Sequence, residues 1–313
     1  MSFDVTFPLV LLAAYGLCNL LLSGMVVLAW RAGLCRHLRD ARALLGVRLL
    51  PALVSAALVL TVILPAFLLY EPRHAHDRPG PLLVICALLA VLVFADGARR
   101  GFSAWRATRE LVHDSRPLAS ELAVGDAEVT LVDIEEPLVG VVGGWRQRII
   151  AAPSVSAACD QEEFRQVLAH EAAHMRARDN LKLLMLLTMP DALAWLPAGR
   201  ALTAHWRAAA ELEADERASG ADPRKRVALA SALIKVARLS IASGRPRVTP
   251  RMSLQVSGLE HRVRRLLASP APVMSRAFPG RRLLTCALLV PLLAVPLYAS
   301  VHRLIEVLVA FGR

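Results

Sequence analysis

Asp160–Arg178 reads DQEEFRQVLAHEAAHMRAR, and this stretch decides what kind of domain the chain must build. Asp160 suits an N-cap, and Glu163 three positions later completes a capping box, so a helix over about 160–178 is expected. Within it, His170 and His174 stand four residues apart and share one helix face. Two imidazoles so placed can converge on one zinc ion. Glu171 points near the same face and can take a proton from water activated there. Alanines fill the two variable positions of His170-Glu171-Ala172-Ala173-His174. A surface helix with two solvated histidines is the plain alternative, and the rest of the chain decides between them.

A catalytic zinc needs a third protein ligand and an open position. Downstream runs Glu211-Leu212-Glu213-Ala214-Asp215, on a second predicted helix over 203–219 that Gly220 ends. Glu211 and Asp215 share a face. Glu211 can ligate the metal, and Asp215 can accept a hydrogen bond from the far nitrogen of a ligating histidine, fixing its tautomer. Glu213 is a competing ligand, two residues along and therefore on the opposite side of that helix. Asp179-Asn180 follows His174 closely and suits either a helix cap or support of the site. His205 and Arg207 precede Glu211 and could stabilise an oxyanion, although a solvated role is simpler.

The surroundings of this motif are those of a membrane protein. Hydrophobic residues make up 56% of the 313, and the mean hydropathy is +0.48, outside the soluble range. Pro8–Trp30, Leu49–Tyr70, Pro81–Ala98 and Leu283–Val301 are each apolar enough to span a bilayer. Pro291 and Pro296 are expected to kink the last. No basic residue precedes Pro8–Trp30, so it reads as a retained span rather than a cleaved leader. The fold class is therefore an α-helical polytopic membrane protein of about four transmembrane helices carrying an α+β domain. The expected organisation is 1–98 for three spans with a basic loop, 99–282 for the metal-binding domain, and 283–313 for the last span and tail.

The net charge of +11 is unevenly spread. Arg31, Arg36, Arg39, Arg42 and Arg48 follow the first span, and Arg99, Arg100, Arg106 and Arg109 follow the third. Arg276, Arg281 and Arg282 precede the fourth. Glu71–Gly80 carries only Arg73 and Arg78 against Glu71 and Asp77. The positive-inside rule then puts the N-terminus outside and 99–282 in the cytoplasm, at the inner membrane. Arginines beside spans point to anionic lipid and orientation, not to nucleic acid. The five cysteines form no CxxC pair, which excludes a thiolate metal site and a disulfide framework. Asp96 lies at a span edge and has a plain reading there. His37, His74 and His76 read as loop residues.

Between the spans, Trp105–His113 extends the third helix, and Asp114–Asp126 reads as a polar linker. Val129–Ile134 is β-like. Leu138–Val142 and Arg148–Ala152, joined through Gly143-Gly144, form a hairpin. Leu181–Leu202 is apolar but carries Lys182, Asp191, Pro190 and Pro197. If Glu211 joins His170 and His174, this segment cannot be a single span; it must lie in the interface, re-enter, or pack against the spans. Asp222-Pro223 opens another helix, and Gln255–Leu267 is a basic amphipathic one.

HEAAH followed by the ExxAD pattern at Glu211–Asp215, with three spans before and one after, resembles the BlaR/MecR-type antirepressor metallopeptidases. These belong to the gluzincin group, with the HtpX-like and CAAX-prenyl proteases. Further likeness lies in PLVGVVGGWRQRIIAAP at Pro137–Pro153, RDNL at Arg178–Leu181 and LEHRVRRLL at Leu259–Leu267. The resemblance implies a zincin-like domain with zinc held by His170, His174 and Glu211, Glu171 as catalytic residue and Asp215 in support; Asp179 is placed in support by its position after His174. It implies a hairpin near the cleft that pairs with an extended substrate. It also implies a regulatory protein substrate, such as a transcriptional repressor. The antibiotic-sensing members carry a large outer domain after the last span; His302–Arg313 is too short for one, so any signal is expected from a sensory partner protein, from lipid or through the spans. An HtpX-like quality-control protease is the nearest rival. A non-catalytic sensor would have lost a core residue, and none is missing. A transporter would show paired charges inside its spans, which the sequence does not suggest.

Overall fold

The computed structural model describes residues 3–35, 38, 40–70, 80–114, 116–124, 127–134, 136–243, 253–268 and 303. The expected fourth span, Leu283–Val301, and most of Glu71–Gly80 lie outside them. The chain divides into two compact units, one of residues 1–101, 186–203 and 276–313, the other of 102–185 and 204–275.

The first unit is built on α1 (Phe3–Arg31), α2 (Ala41–Leu58) and α3 (Leu64–Tyr70), the last two joined by a π-helical turn over Val59–Ile63. It also holds the start of α4 (Pro81–Asp114). Three helical stretches, Phe7–Arg31, Ala41–Leu69 and Pro81–Glu110, are long and apolar enough to cross a membrane. Val10, Ala13, Phe67, Leu83, Cys86 and Ala87 pack between them.

The segment 186–203 packs against these helices, one of the three arrangements expected of it. Tyr15 donates its hydroxyl to the Pro190 carbonyl at 2.5 Å, and Asn19 Oδ1 accepts from the Ala192 N–H at 2.8 Å. Asp191 accepts from the Leu193 N–H at 2.6 Å and ion-pairs with Arg48 of α2, both side chains buried. Arg48 Nε also donates to Thr203 Oγ1 at 3.2 Å. Gly97 lets the segment approach closely, because a Cβ there would press on the Thr188 carbonyl. Arg48, expected in the loop after the first span, lies within α2 and finds its partner in Asp191. Asp191 is supplied from far along the chain, which local reading of a span does not reveal. Asp96, at the end of its span, pairs with Arg99 at 2.7 Å and accepts from the Trp195 indole at 2.9 Å.

The second unit opens with a four-stranded sheet: β1 (Arg116–Val124), β2 (Ala127–Asp133), β3 (Val139–Val142) and β4 (Arg148–Ala151). Their order is β1-β2-β4-β3, with β2 and β4 parallel and the other neighbours antiparallel. The expected linker at Asp114–Asp126 is largely strand β1. Its polar, Pro-containing composition suits an edge position, where one row of backbone groups needs no strand partner. Its pairing with β2 slips between Pro117 and Glu121.

Helices α5 (Pro153–Ala158) and α6 (Gln161–Ala177) follow the sheet. The capping box is as expected: Asp160 accepts from the Glu163 N–H and Glu163 from the Asp160 N–H, both at 2.8 Å. Arg178 ends α6 in the left-handed region, at φ 55. One sheet face packs on α6 through Val129, Val141, Ile149, Leu168 and Ala172. Then come α7 (Asp179–Thr188), a 3-10 turn (Ala192–Trp195), α8 (Pro197–Ser219), α9 (Pro223–Ala242) and α10 (Ser253–Leu267). The helix carrying Glu211 thus begins at Pro197, earlier than expected, since proline is favoured at the first helical position. Buried Arg226 of α9 donates to the carbonyls of Leu266, Arg265 and Ala268, satisfying the orphan end of α10.

Candidate metal centre

The site lies in the second unit, on α6, α7, α8, α10 and the outer edge of β3. His170 and His174 are 4% exposed each, so nearly all their hydration is lost. Such burial requires partners for every ring nitrogen. His174 Nδ1 is 2.8 Å from Asp179 Oδ2 in a hydrogen bond. His170 Nδ1 lies 3.0 Å from Asp215 Oδ1, at ion-pair distance though outside hydrogen-bond alignment. With a carboxylate facing each Nδ1, the proton of a neutral ring belongs there and its Nε2 is turned into the cluster, where Arg262 Nη2 also lies 3.4 Å from His170 Nε2. Those two Nε2 atoms face one another at 3.1 Å. Two lone pairs so close repel unless a cation or proton sits between them.

Glu211 completes the set. Its Oε2 is 3.4 Å from His170 Nε2 and its Oε1 is 3.5 Å from His174 Nε2. One ligand atom from each of His170, His174 and Glu211 lies within 4.8 Å of the others. Tetrahedral ligands at zinc distances of about 2.0–2.2 Å stand about 3.3–3.6 Å apart. The two Nε2 atoms, at 3.1 Å, stand slightly closer than that, and each faces a different oxygen of Glu211, so the three residues converge on one point and their donor chemistry fits zinc. Glu213, the competitor, instead pairs with Arg217 at 2.6 Å along the helix surface.

Protonation follows the same contacts. Burial works against a charged His174, but Asp179 and Glu211 outweigh it and push its pKa up to about 9. Burial likewise opposes the charged form of Glu211, yet the two histidines and Arg262 hold its carboxyl well below the usual range. Asp215 is held low by Arg262 and His170 against its own burial. Glu211 and Asp215 thus stay ionised beside the two rings.

Glu171 is 6% exposed, and its Oε2 accepts from the Val141 N–H of β3 at 3.1 Å. The edge strand thus fixes the carboxylate beside the histidines. Asn180 Nδ2 donates to the carbonyls of Val141 at 2.7 Å and Gly143 at 3.2 Å. Asp179 and Asn180 therefore divide their work, one holding His174 and the other the strand. His205 is exposed, and the site described here does not include it.

Sequence reasoning missed Arg262. Its guanidinium donates to both oxygens of Asp215, at 2.8 and 2.7 Å, and Nη1 lies 2.9 Å from Glu211 Oε2. Only 5% of Arg262 is exposed. The signal was its place on the helix: Leu259, Arg262, Val263 and Leu266 fall on one face. A lone arginine on an apolar stripe cannot be buried without carboxylates to meet it.

Two histidines and a glutamate, with a second glutamate held beside them and carboxylates behind each ring, make a centre of the metallopeptidase class. Residues 140–214, which contain most of β3, the HEAAH helix and Glu211, match the family model of Peptidase family M48. That match supports a metallopeptidase and stops short of the narrower antirepressor type. No curated protein and no solved structure matches the chain.

Proposed function

We propose that the protein is a membrane-bound zinc metalloendopeptidase that cleaves a regulatory protein at the cytoplasmic membrane face, as an antirepressor-type peptidase would. The observation that carries the reading is the convergence of His170 Nε2, His174 Nε2 and a Glu211 oxygen next to a buried Glu171. His170, His174 and Glu211 would hold the zinc, which when bound would polarise a peptide carbonyl and acidify water. Glu171 takes the proton of the attacking water and passes it to the leaving nitrogen. The Val141 N–H keeps one Glu171 oxygen fixed, which leaves the other for that transfer. Asp179 and Asp215 hold the histidine rings, and Arg262 neutralises Asp215 so that two buried carboxylates can stand close together. The resemblance places an extended substrate beside β3, where the Val141 backbone is itself held by Glu171 and Asn180. Arginine distribution supports the cytoplasmic orientation, with 99–282 as the peptidase domain. The substrate would be a protein such as a transcriptional repressor, and a partner protein or lipid would bring the signal. Nucleic acid is not needed as a direct ligand.

The test is metal content of detergent-purified protein together with proteolysis of a quenched fluorescent protein substrate. About one zinc per chain is expected in wild type, lost in Glu211→Ala and kept in Glu213→Ala. Glu171→Gln should keep the metal and lose activity by on the order of 100- to 10,000-fold. Wild type purified without chelators and devoid of zinc would refute the reading.

A further inference from the structure

Trp145 stands at the tip of the β3–β4 hairpin, 80% exposed. Leaving an indole in water forfeits a large apolar contact, so its presentation calls for a partner. The tip is held in shape. Gly143 takes φ +92, and a Cβ there would run into the Arg146 carbonyl, so the turn closes tightly. Strand pairing continues to Val142↔Arg148, directly below the turn. Asn180 holds the Gly143 carbonyl from α7 at 3.2 Å.

Three observations name the partner. First, Arg146 and Arg148 flank the indole and are exposed, and Val139–Ala152 contains no acidic residue. Second, the turn borders α7: Leu184 Cδ2 lies 3.9 Å from where a Cβ on Gly144 would stand. Third, two residues beyond Leu184 the chain enters the unit that holds two of the apolar helices and most of the third. Helix α7 itself reads DNLKLLMLLT, apolar from Leu183 to Leu187. Tryptophan and arginine together are the side chains of the membrane–water interface, one amphipathic and the other matched to anionic headgroups.

We propose that the β3–β4 turn is a membrane-contact site, with Trp145 in the headgroup region and Arg146 and Arg148 on anionic phospholipid. The inference rests on the membrane reading of the apolar helices and not on peptidase chemistry. Where the peptidase reading also holds, the β3 edge that carries Val141 is presented at the lipid surface. The favoured substrate is then a segment emerging from the bilayer.

The experiment uses the full chain, labelled with fluorotryptophan, in nanodiscs of phosphatidylcholine and phosphatidylglycerol. The chain has five tryptophans, and Trp145→Phe identifies its resonance by subtraction. A spin label on the lipid should erase the Trp145 resonance at a level that spares Trp206, which is 2% exposed. A water-soluble gadolinium chelate should spare Trp145. In discs of phosphatidylcholine alone, or in Arg146→Gln/Arg148→Gln, the effect of the lipid label should weaken. A Trp145 resonance erased by the chelate and spared by the lipid label overturns the proposal. So does one spared by both, which would mean that protein covers the indole. Neither result depends on zinc or proteolysis, so this proposal and the peptidase reading fail separately.

Discussion

Arg262 and Arg264 stand two residues apart on α10 and make ion pairs of the same length, yet their removal should have very different consequences. Arg262 Nη2 meets Asp215 Oδ1 at 2.7 Å, with side chains 6% and 4% exposed. Arg264 Nη2 meets Glu260 Oε1 at 2.7 Å, with side chains 79% and 77% exposed. In water the second pair is screened and competes with hydration, and it contributes between 0 and about 1 kcal/mol. The first is desolvated, and Arg262→Leu leaves Asp215 and Glu211 buried without their counter-charge. Breaking such a pair costs about 3–5 kcal/mol. At about 2–4 °C per kcal/mol for a domain of this size, the melting temperature should fall by about 6–20 °C. The assay is thermal unfolding of detergent-solubilised protein in chelator, so that metal binding does not enter the comparison. Arg264→Ala should melt within about 2 °C of wild type. Asp215→Leu combined with Arg262→Leu should recover part of the loss, because only Glu211 is then left without its counter-charge. An Arg262→Leu melting point equal to that of Arg264→Ala would refute the claim that Arg262 supports the site.

Three further perturbations follow from the same geometry. Gly143→Ala must place a side chain at φ +92 against the Arg146 carbonyl and should cost about 1–3 kcal/mol, read as faster hydrogen exchange in β3 and β4 than at Gly140→Ala. Arg48→Met and Asp191→Leu should each lower the melting temperature sharply, while the double apolar variant approaches wild type; equal losses in all three would show that the buried pair is not the reason. Glu163 is opposed by its burial, but hydrogen bonds from Lys235, Ser231 and the Asp160 backbone hold its carboxyl below the ordinary 4.5. A depressed carboxylate stabilises the fold above its unfolded pKa and loses that contribution as pH falls through the folded one. Glu163→Gln should therefore cost about 1–3 kcal/mol at neutral pH, and the deficit should shrink below about pH 4; a deficit that is constant with pH would show that the carboxylate charge is not involved.

How far the site could be read from sequence depends on where each residue's partners lie. His170, Glu171 and His174 declare themselves because one helical turn sets their relation, and Asp160 with Glu163 declares the start of that helix. Glu211 is legible only because a resemblance links two separate helices; spacing leaves Glu213 equally open, and the structure separates them by which face meets the histidines. Asp179 is ambiguous in sequence, since the same residue suits a cap or a histidine partner. Arg262 lies at the far limit: its partners are Asp215 and Glu211, on a helix that no local pattern connects to α10. The β1 strand fails for a related reason. Its composition is that of a loop, and its strand character comes from pairing with β2.

The interrupted segment between the two halves of the site shows how one expectation constrains another. His174 and Glu211 meet in one cluster, so the chain between them cannot cross a bilayer an odd number of times. The residues that break Leu181–Leu202 perform that constraint. Pro190 exposes its carbonyl to Tyr15, and a helix running through this point would have consumed that acceptor. Asp191 then caps the short turn through the Leu193 N–H while pairing with Arg48. Pro197 begins a new helix rather than continuing an old one. Each break would be a defect in a simple span and is a built contact in a segment packed on α1 and α2. Lys182 belongs to the same logic: it pairs with Asp179 at 2.9 Å, which keeps that carboxylate charged while its other oxygen holds His174.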